Sequence, residues 1–327
     1  MSGNLRTVTE TSALITEGRH LLLAGDESLL AQLPAGSWIG GTIPYFMDAE
    51  GGVVTRDRIY VDELPAQVVD ARVASYSADE LSRIPGDGFS SGFSVVILPA
   101  TSEAHARYAA EAPEFTGLFE RPVVGWVSGV HLDDLGKVSP KVFAGSGGSG
   151  TDSRAVVLHA ELPEGVLASA DIVNLFHQGD GPVLTFDEVG FSQGKVSVDG
   201  VPRVFADYLT EIGHDVRLPL VADYFGAMIN VSFQAVPDDG GPVALYAPVF
   251  DGIEYKLAAP VGDYVSEFVS QLPSGSVSPT FSCNCILNFL YSDLEGKKTG
   301  DVQGPITFGE VAYQLLNQTL VYLTIHE

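Results

Sequence analysis

An α+β fold is predicted, with mixed, largely antiparallel β-sheets, short flanking helices and a two-part architecture. Short apolar segments separated by Gly, Pro and Asp recur along the 327 residues, which is the pattern of many short strands. Helical spacing is confined to brief stretches, so a regular strand–helix–strand alternation is absent. Hydrophobic residues make up 45% of the chain, enough to form a substantial core.

In the first half, a helix from residue 11 stops at Gly18, a residue that readily takes the left-handed conformation at a helix end. Residues 77–80 (Ser-Ala-Asp-Glu) match a capping box that begins a short helix, and residues 102–112 form another helix. Apolar or alternating segments predict strands at residues 20–26, 38–47, 58–64, 68–75, 93–98, 123–131, 141–143 and 155–162. The paired glycines and proline of residues 38–47 indicate that this strand breaks into a tight turn.

In the second half, the turn sequence Pro-Asp-Asp-Gly-Gly at 237–241 predicts a hairpin between strands 229–236 and 243–250. Helices are expected at 203–212 and 263–272, and strands at 183–186, 195–198, 281–290 and 319–325. Gly- and Asp-rich loops near residues 179–191 suggest a boundary, which divides the chain into residues 1–185 and 186–327.

The charge balance narrows the classes of partner. With 42 acidic and 17 basic residues the net charge is −25, so binding to nucleic acid or to an anionic membrane surface is not expected. No segment has the length and apolar character of a signal peptide or membrane span. Two cysteines are too few for a disulfide framework and fit a reducing compartment, so we expect a cytoplasmic protein.

Several motif-like patterns are better explained by structure than by chemistry. Gly145-x-Gly-x-x-Gly150 precedes a strand and therefore lacks the helix of a dinucleotide-binding turn. Gly88-x-Ser90-x-Gly92 also precedes its strand, which reverses the order of a nucleophile elbow. His159, alone in an apolar strand, is interpreted as a structural histidine. We expect no bound metal and no cofactor.

Cys283 and Cys285 lie two residues apart and would share one face of a strand. They could supply half of a zinc site, but the chain has no second pair, and packing in the core is the favoured interpretation. Glu310 follows a glycine turn among apolar residues, so a partly buried carboxylate is expected. It would either contact a ligand or cap a helix beginning at Val311.

The chain resembles the FIST domain family of bacterial sensory proteins in several short motifs, which occur in the same order along the sequence. Phe308-Gly309-Glu310-Val311 followed by Asn317-Gln318-Thr319-Leu320 is similar to the end of that family's carboxyl-terminal part. Phe281-Ser282-Cys283 is similar to its strand and cysteine, although an expected arginine region is replaced by Asn284-Cys285-Ile286. Further likenesses are the glycine turn at residues 39–42 and the strand and turn at 194–200. The resemblance implies a two-part sensor of a small ligand, with amino acids the usual suggestion.

We therefore expect a sensory protein without catalytic activity that binds an amino acid or a similar small polar metabolite. Backbone N–H groups at the glycines would bind a ligand carboxylate, and Glu310 would bind its amino group. Tyr45 would contact an apolar part of the ligand, and two asparagines would fix its orientation through amide hydrogen bonds. The expected ligand-binding residues are Gly40, Gly41, Thr42, Tyr45, Cys283, Asn288, Glu310 and Asn317. Such a sensor would act alone or through a separate signalling protein.

Two alternatives remain at this stage. Cys283 could be the nucleophile of an enzyme, which requires a base within hydrogen-bond reach. The apolar carboxyl-terminal strands could instead form the interface of a homo-oligomer or of a protein-interaction module.

Overall fold

The computed structural model describes residues 4–224, 226–272 and 279–326, and it shows the expected α+β fold. The chain divides into two compact units. The first contains Met1–Val173, Gln271–Leu315 and Leu320–Glu327, and the second contains Asn174–Ser270 and Leu316–Thr319. The chain thus leaves the first unit after Val173 and returns to it, whereas the sequence predicts two successive parts that meet at residue 185.

Three sheets form the first unit, and most of their strand pairs are antiparallel. Sheet 1 has the order β1 (Leu5–Arg6), β6 (Ile59–Glu63), β2 (Leu21–Gly25), β3 (Trp38–Thr42) and β10 (Val142–Phe143). Sheet 2 has the order β25 (Gln314–Leu316), β24 (Glu310–Ala312), β9 (Val123–Ser128), β8 (Gly92–Pro99), β11 (Ala155–Glu161) and β7 (Asp70–Tyr76). Sheet 3 has the order β12 (Leu167–Val173), β26 (Leu320–His326), β22 (Phe281–Cys285), β23 (Gly304–Thr307), β4 (Tyr45–Asp48) and β5 (Gly51–Val54). The parallel pairs are β2–β3, β8–β9 and β22–β23.

Two further sheets belong to the second unit. Sheet 4 has the order β16 (Val201–Val204), β15 (Lys195–Val198), β13 (Leu184–Thr185), β21 (Tyr255–Leu257), β17 (Leu220–Tyr224) and β18 (Ala227–Val231). Sheet 5 has the order β14 (Gly190–Gln193), β20 (Val243–Val249) and β19 (Phe233–Ala235), so the predicted hairpin across residues 237–241 is confirmed between β19 and β20. The predicted strand 229–236 is wrong in its first part, which belongs to β18 of sheet 4. In the core of the second unit, the ring of Phe186 contacts the rings of Phe205 and Tyr255.

The helices are short, and the first one begins at Val8, three residues before its predicted start. Thr7 and Glu10 form a capping box at the first helix, and Gly18 follows its end with a φ of 80°. Ser77 and Glu80 form the capping box that the sequence predicts, which opens a 3₁₀ helix over Ala78–Arg83. The α-helices are α1 (Val8–Thr16), α2 (Glu27–Leu30), α3 (Ile84–Asp87), α4 (Glu103–Glu111), α5 (Phe205–Glu211), α6 (Tyr264–Gln271) and α7 (Ile286–Tyr291). Within the described ranges, every helix is too short or too polar to traverse a bilayer.

The sequence prediction of one strand over residues 281–290 is wrong in its second half, because β22 ends at Cys285 and α7 follows. Ile286, Leu287 and Phe289 are buried on this short helix, and a short apolar run does not reveal which of the two periods it follows.

Sheet 2 lies between a helical layer and the other two sheets of the first unit. On one face, Trp126 of β9 meets Gly41 of sheet 1 and stacks on Phe281 of sheet 3 at 5.5 Å between ring centroids. On the far side of sheet 1, α1 and α2 close a second apolar core that includes Ile15, Leu30 and Trp38.

A chain of four hydrogen-bonded side chains occupies the other face of sheet 2. The hydroxyl of Tyr76 donates to Asp87, which also pairs with Arg83, so the Tyr76 oxygen accepts from Nε2 of His159 at 2.9 Å. Nδ1 of His159 then accepts from the Ser94 hydroxyl at 2.8 Å. Both ring nitrogens are satisfied by a neutral imidazole, and the expected structural role of His159 is confirmed. Burial, together with Arg72, lowers the pKa of His159 to about 4.

This arrangement makes folding stability depend on pH. Between pH 6.5 and 4 the unfolded chain protonates His159 and the folded chain does not, so this contribution is complete above pH 6.5 and is lost as pH falls towards 4. The loss amounts to at most about 3 kcal/mol. Buried His105, whose pKa is also lowered to about 4, acts in the same direction. Urea unfolding at a series of pH values should therefore show a shallower acid slope for His159→Gln than for the unchanged protein. Parallel slopes would contradict the assignment.

Candidate functional site

The structure places the expected ligand-binding residues in buried positions. Gly40, Gly41 and Thr42 are the last three residues of β3, and Tyr45 begins β4. Cys283 lies in β22, Asn288 in α7 and Glu310 in β24, and all of these belong to the first unit. Asn317 belongs to the second unit.

Trp126 of β9 is a neighbour of both Gly41, in the first part of the chain, and Glu310, near its carboxyl terminus. A β-carbon at Gly41 would lie 2.9 Å from Nε1 of Trp126 and 2.8 Å from Cγ2 of Ile97, so only glycine allows β3 to approach β9 this closely. Glu310 stands opposite Trp126 in the β24–β9 register, which puts the two side chains on the same face. Gly41 and Glu310 are therefore both neighbours of Trp126, a residue that the sequence did not single out. That Gly41 and Glu310 border a shared hollow stays a prediction.

Two buried donors next to Gly41 have no acceptor within the described residues. These are the indole N–H of Trp126 and the hydroxyl of Ser128, and their residues are 1% and 0% exposed. The Ser128 β-carbon would be 3.2 Å from a β-carbon at Gly41. By contrast, the indole N–H of Trp38 donates to the carbonyl oxygen of Pro34 at 2.9 Å.

Glu310 is fully buried within the first unit. The Thr307 hydroxyl lies 3.3 Å from its Oε1 and also reaches the carbonyl oxygens of Asn284 and Gly309. The alternative that Glu310 caps a helix at Val311 is wrong, because both residues belong to β24. Its contact with a ligand stays a prediction. We call Gly41, Trp126, Ser128, Cys283, Thr307 and Glu310 the interior polar cluster.

Cys283 faces the same layer, and its Sγ donates to the carbonyl oxygen of Gly125 at 3.3 Å. Burial, and next the charge of Glu310, raise the pKa of the Cys283 thiol well above its usual range. Cys285 is also buried, as the packing interpretation expects. Within the described residues no group of three His, Cys, Asp or Glu side chains is placed to hold a metal ion. A buried thiol of raised pKa is a poor nucleophile, which disfavours the enzyme alternative.

The two asparagines of the expected site make other contacts. Asn288 donates to Oδ1 of Asn284, whose side chain projects to the opposite face of sheet 3 from that of neighbouring Cys283. The carbonyl oxygen of Asn317 accepts from Asn230, and its side-chain Nδ2 donates to the Leu316 carbonyl. This segment is held in the second unit, where Ser232 donates to Gln318 at 2.7 Å.

Thr42 and the two residues after it border a small cavity of about 40 Å³. It lies beyond the carboxyl ends of β2, β3 and β9, and Asp26, Glu27, Gly129 and Asp134 also line it. Lys141 pairs with Glu27, and Arg56 pairs with Asp134 at 2.7 Å. Tyr45 stacks on His131 nearby, and its hydroxyl accepts the N–H of Leu132. A cavity of this size holds a few water molecules.

Sequence reasoning missed a larger cleft of about 330 Å³ at the edge of sheet 1. Arg6, Asp62 and Thr280 line it, together with apolar walls that include Leu14 and Val61. The available signal was Asp62 itself, which alternates in register with buried Tyr60 and so points a carboxyl group inward from an otherwise regular strand.

Comparison with known proteins gives one result. A family model described as a family of unknown function (DUF6976) matches residues 6–326. No curated protein matches the chain, and no solved structure matches it.

The close approach at Gly41 predicts a strong effect of a single methyl group. Gly41→Ala should destabilise the protein by about 1–3 kcal/mol, because the new β-carbon would contact two packed side chains. Gly86→Ala is the matched control, since nothing lies within 4 Å of a β-carbon there. Denaturant unfolding of both variants checks this, and equal stabilities would show that β3 and β9 are not packed as described.

Burial of the thiols predicts slow alkylation. In the folded protein, iodoacetamide at neutral pH should leave Cys283 and Cys285 unmodified, while both react after unfolding in denaturant. Mass spectrometry with Cys283→Ser as the control identifies the modified site. Rapid, selective alkylation of Cys283 in the folded protein would instead support the enzyme alternative.

Proposed function

We propose that this chain, which belongs to the DUF6976 family of unknown function, is a cytoplasmic sensory protein that binds a small polar metabolite without catalysing a reaction. The ligand we propose is an amino acid or a similar zwitterion, bound at the interior polar cluster of the first unit.

The observation that carries this proposal is the pair of unpartnered donors on Trp126 and Ser128 beside Gly41. A buried donor without an acceptor costs about 1–3 kcal/mol, so native proteins keep few of them. Two such groups, both in residues next to Gly41, favour an acceptor from outside the chain, either water or an oxygen of a ligand. A carboxylate, with two oxygens and several lone pairs, can accept from two donors.

Glu310 is the proposed partner of the ligand's amino group. It shares a face with Trp126, so an amino group next to a carboxylate bound at Trp126 and Ser128 would lie towards Glu310. The net charge of −25 favours a zwitterion over a free anion as the molecule that approaches the protein. The FIST-like motifs add a sensory role, exerted through a separate signalling protein.

The test is a thermal-shift screen with free amino acids and small metabolites. A ligand at 100 times its dissociation constant should add about 2.7 kcal/mol of stability and raise the Tm visibly. Glu310→Gln should abolish the shift caused by any hit, because it removes the charge that meets the amino group.

Glu114→Gln is the control, since that carboxylate is exposed. If Glu310→Gln proves unstable, Ser128→Ala takes its place and should weaken the same shift. Hits that survive both substitutions would place the ligand elsewhere, and a screen without hits would count against the sensory role.

A further inference from the structure

Sheet 3 ends in the strand β12, which pairs with β26 along one of its two edges. The carbonyl oxygen of Leu323 in β26 accepts the N–H of Thr280, so the backbone groups of Leu323 point towards β22. Leu323 lies opposite Ala170 in the β12–β26 register, and successive residues of a strand direct their backbone groups to alternate edges. Ala170 therefore directs its N–H and C=O groups away from β26, and so do Ala168 and Ile172.

This outer edge of β12 is open over its whole length. Within the described part of the chain, the outward N–H and C=O groups have no hydrogen-bond partner. The side chains are exposed as well, with Leu167 at 69% and Ile172 at 41%. The seven residues include no Lys, Arg or Pro. Natural proteins protect edge strands with such residues, with bulges or with a covering segment, so an open edge of this length favours pairing with another strand.

The edge strand β7 of sheet 2 has the same length and shows the protection that β12 lacks. The N–H of Ala71 donates to Oδ1 of Asp70 at 2.8 Å. The carbonyl oxygen of Ser75 accepts from the Arg154 guanidinium at 2.8 Å. Local side chains therefore occupy backbone groups of β7 that a second strand would need, and β12 is the better candidate for a partner.

The sequence of β12 is complementary to itself about Ala170. When two copies pair in antiparallel orientation around this residue, Ala168 of each copy lies opposite Ile172 of the other, and every outward N–H and C=O group finds a partner. Ser169 then lies opposite Asp171 of the second copy. The Ser169 hydroxyl already donates to Asp171 of its own strand at 3.1 Å, and in the pair it can donate to the second carboxylate instead.

Other registers of the same strand are less favourable. Pairing centred on Asp171 would place two carboxylates directly opposite each other, which is destabilising. Pairing centred nearer to either end of β12 would leave some outward backbone groups without a partner.

We propose that two copies of this chain associate through antiparallel pairing of β12 centred on Ala170, which joins their copies of sheet 3 into one continuous sheet. A single pair of strands buries less surface than a standard protein interface, and each chain carries a net charge of −25. The dimer is therefore weak and dissociates on dilution. The interface shares no residue with the interior polar cluster, so it stands independently of the proposed function.

The experiment is analytical ultracentrifugation of the full chain between about 1 µM and about 1 mM, in about 0.15 M salt to screen the net charge. The unchanged protein should be monomeric at the low end and increasingly dimeric at the high end. Ala170→Pro should weaken association by about tenfold or more, because the hydrogen bonds at the centre of the pair are lost. Since the Ala170 N–H points away from β26, proline is compatible with pairing inside sheet 3. Ala71→Pro on β7 is the matched control and should associate as the unchanged protein does.

Two substitutions of Ser169 test the register. Ser169→Lys should strengthen association by about threefold, because the lysine would face Asp171 of the second copy, and Ser169→Asp should weaken it by a similar factor. Ser82→Lys and Ser82→Asp change the net charge equally at an exposed position and should each alter association by less than about twofold. Circular dichroism confirms that every variant is folded.

Three results would contradict the proposal. A monomer at every concentration would overturn it and leave the edge of β12 to a strand of another protein. A dimer that Ala170→Pro leaves unchanged would place the interface elsewhere on the chain, which overturns it as well. Equal effects of the substitutions at Ser169 and Ser82 would exclude the register centred on Ala170, and with it the proposed dimer.

Discussion

The first unit depends on the close approach of β3 to β9 at Gly41. Without a β-carbon at this position, the indole of Trp126 can lie against the backbone of sheet 1 while it stacks on Phe281 of sheet 3. One aromatic side chain thereby joins all three sheets. Its position also decides which polar groups are buried together, because Glu310 faces Trp126 across β24 and β9 and Ser128 follows on the same face. The contact between Gly41 and Trp126 therefore determines both how the three sheets pack and which candidate binding groups lie on the same face.

The polar side chains on the two faces of sheet 2 differ in whether their hydrogen bonds are satisfied. On the helical face, the side chains of Ser94, His159, Tyr76 and Asp87 hydrogen-bond to one another. The buried neutral imidazole therefore stabilises the fold above pH 6.5, and this contribution is lost as pH falls towards 4. On the face towards sheets 1 and 3, the donors of Trp126 and Ser128 have no acceptor in the described chain. A fully paired network is typical of a structural role, whereas the unpaired donors on the other face are the reason for the binding function that we propose there.

The sequence allowed the fold class, most strands and one helix cap to be predicted, because these follow from local patterns such as the Ser77–Glu80 capping box and the turn at residues 237–241. The shared hollow expected between Gly41 and Glu310 stays a prediction. The sequence did not reveal Trp126 as their common neighbour, since sequence separation says nothing about which strands face each other. The helix at Ile286–Tyr291 and the return of the chain to the first unit were missed for the same reason: both are decided by long-range packing.

The most direct test uses the two tryptophan indole N–H signals in a ¹H–¹⁵N spectrum, assigned with Trp38→Phe. Trp38 is bonded to Pro34 and serves as an internal reference, while Trp126 has a donor to offer. Titration with an amino acid that stabilises the protein should shift the Trp126 signal strongly and leave the Trp38 signal in place. A Trp126 signal that stays fixed while the protein is saturated with that amino acid would contradict binding at the interior polar cluster.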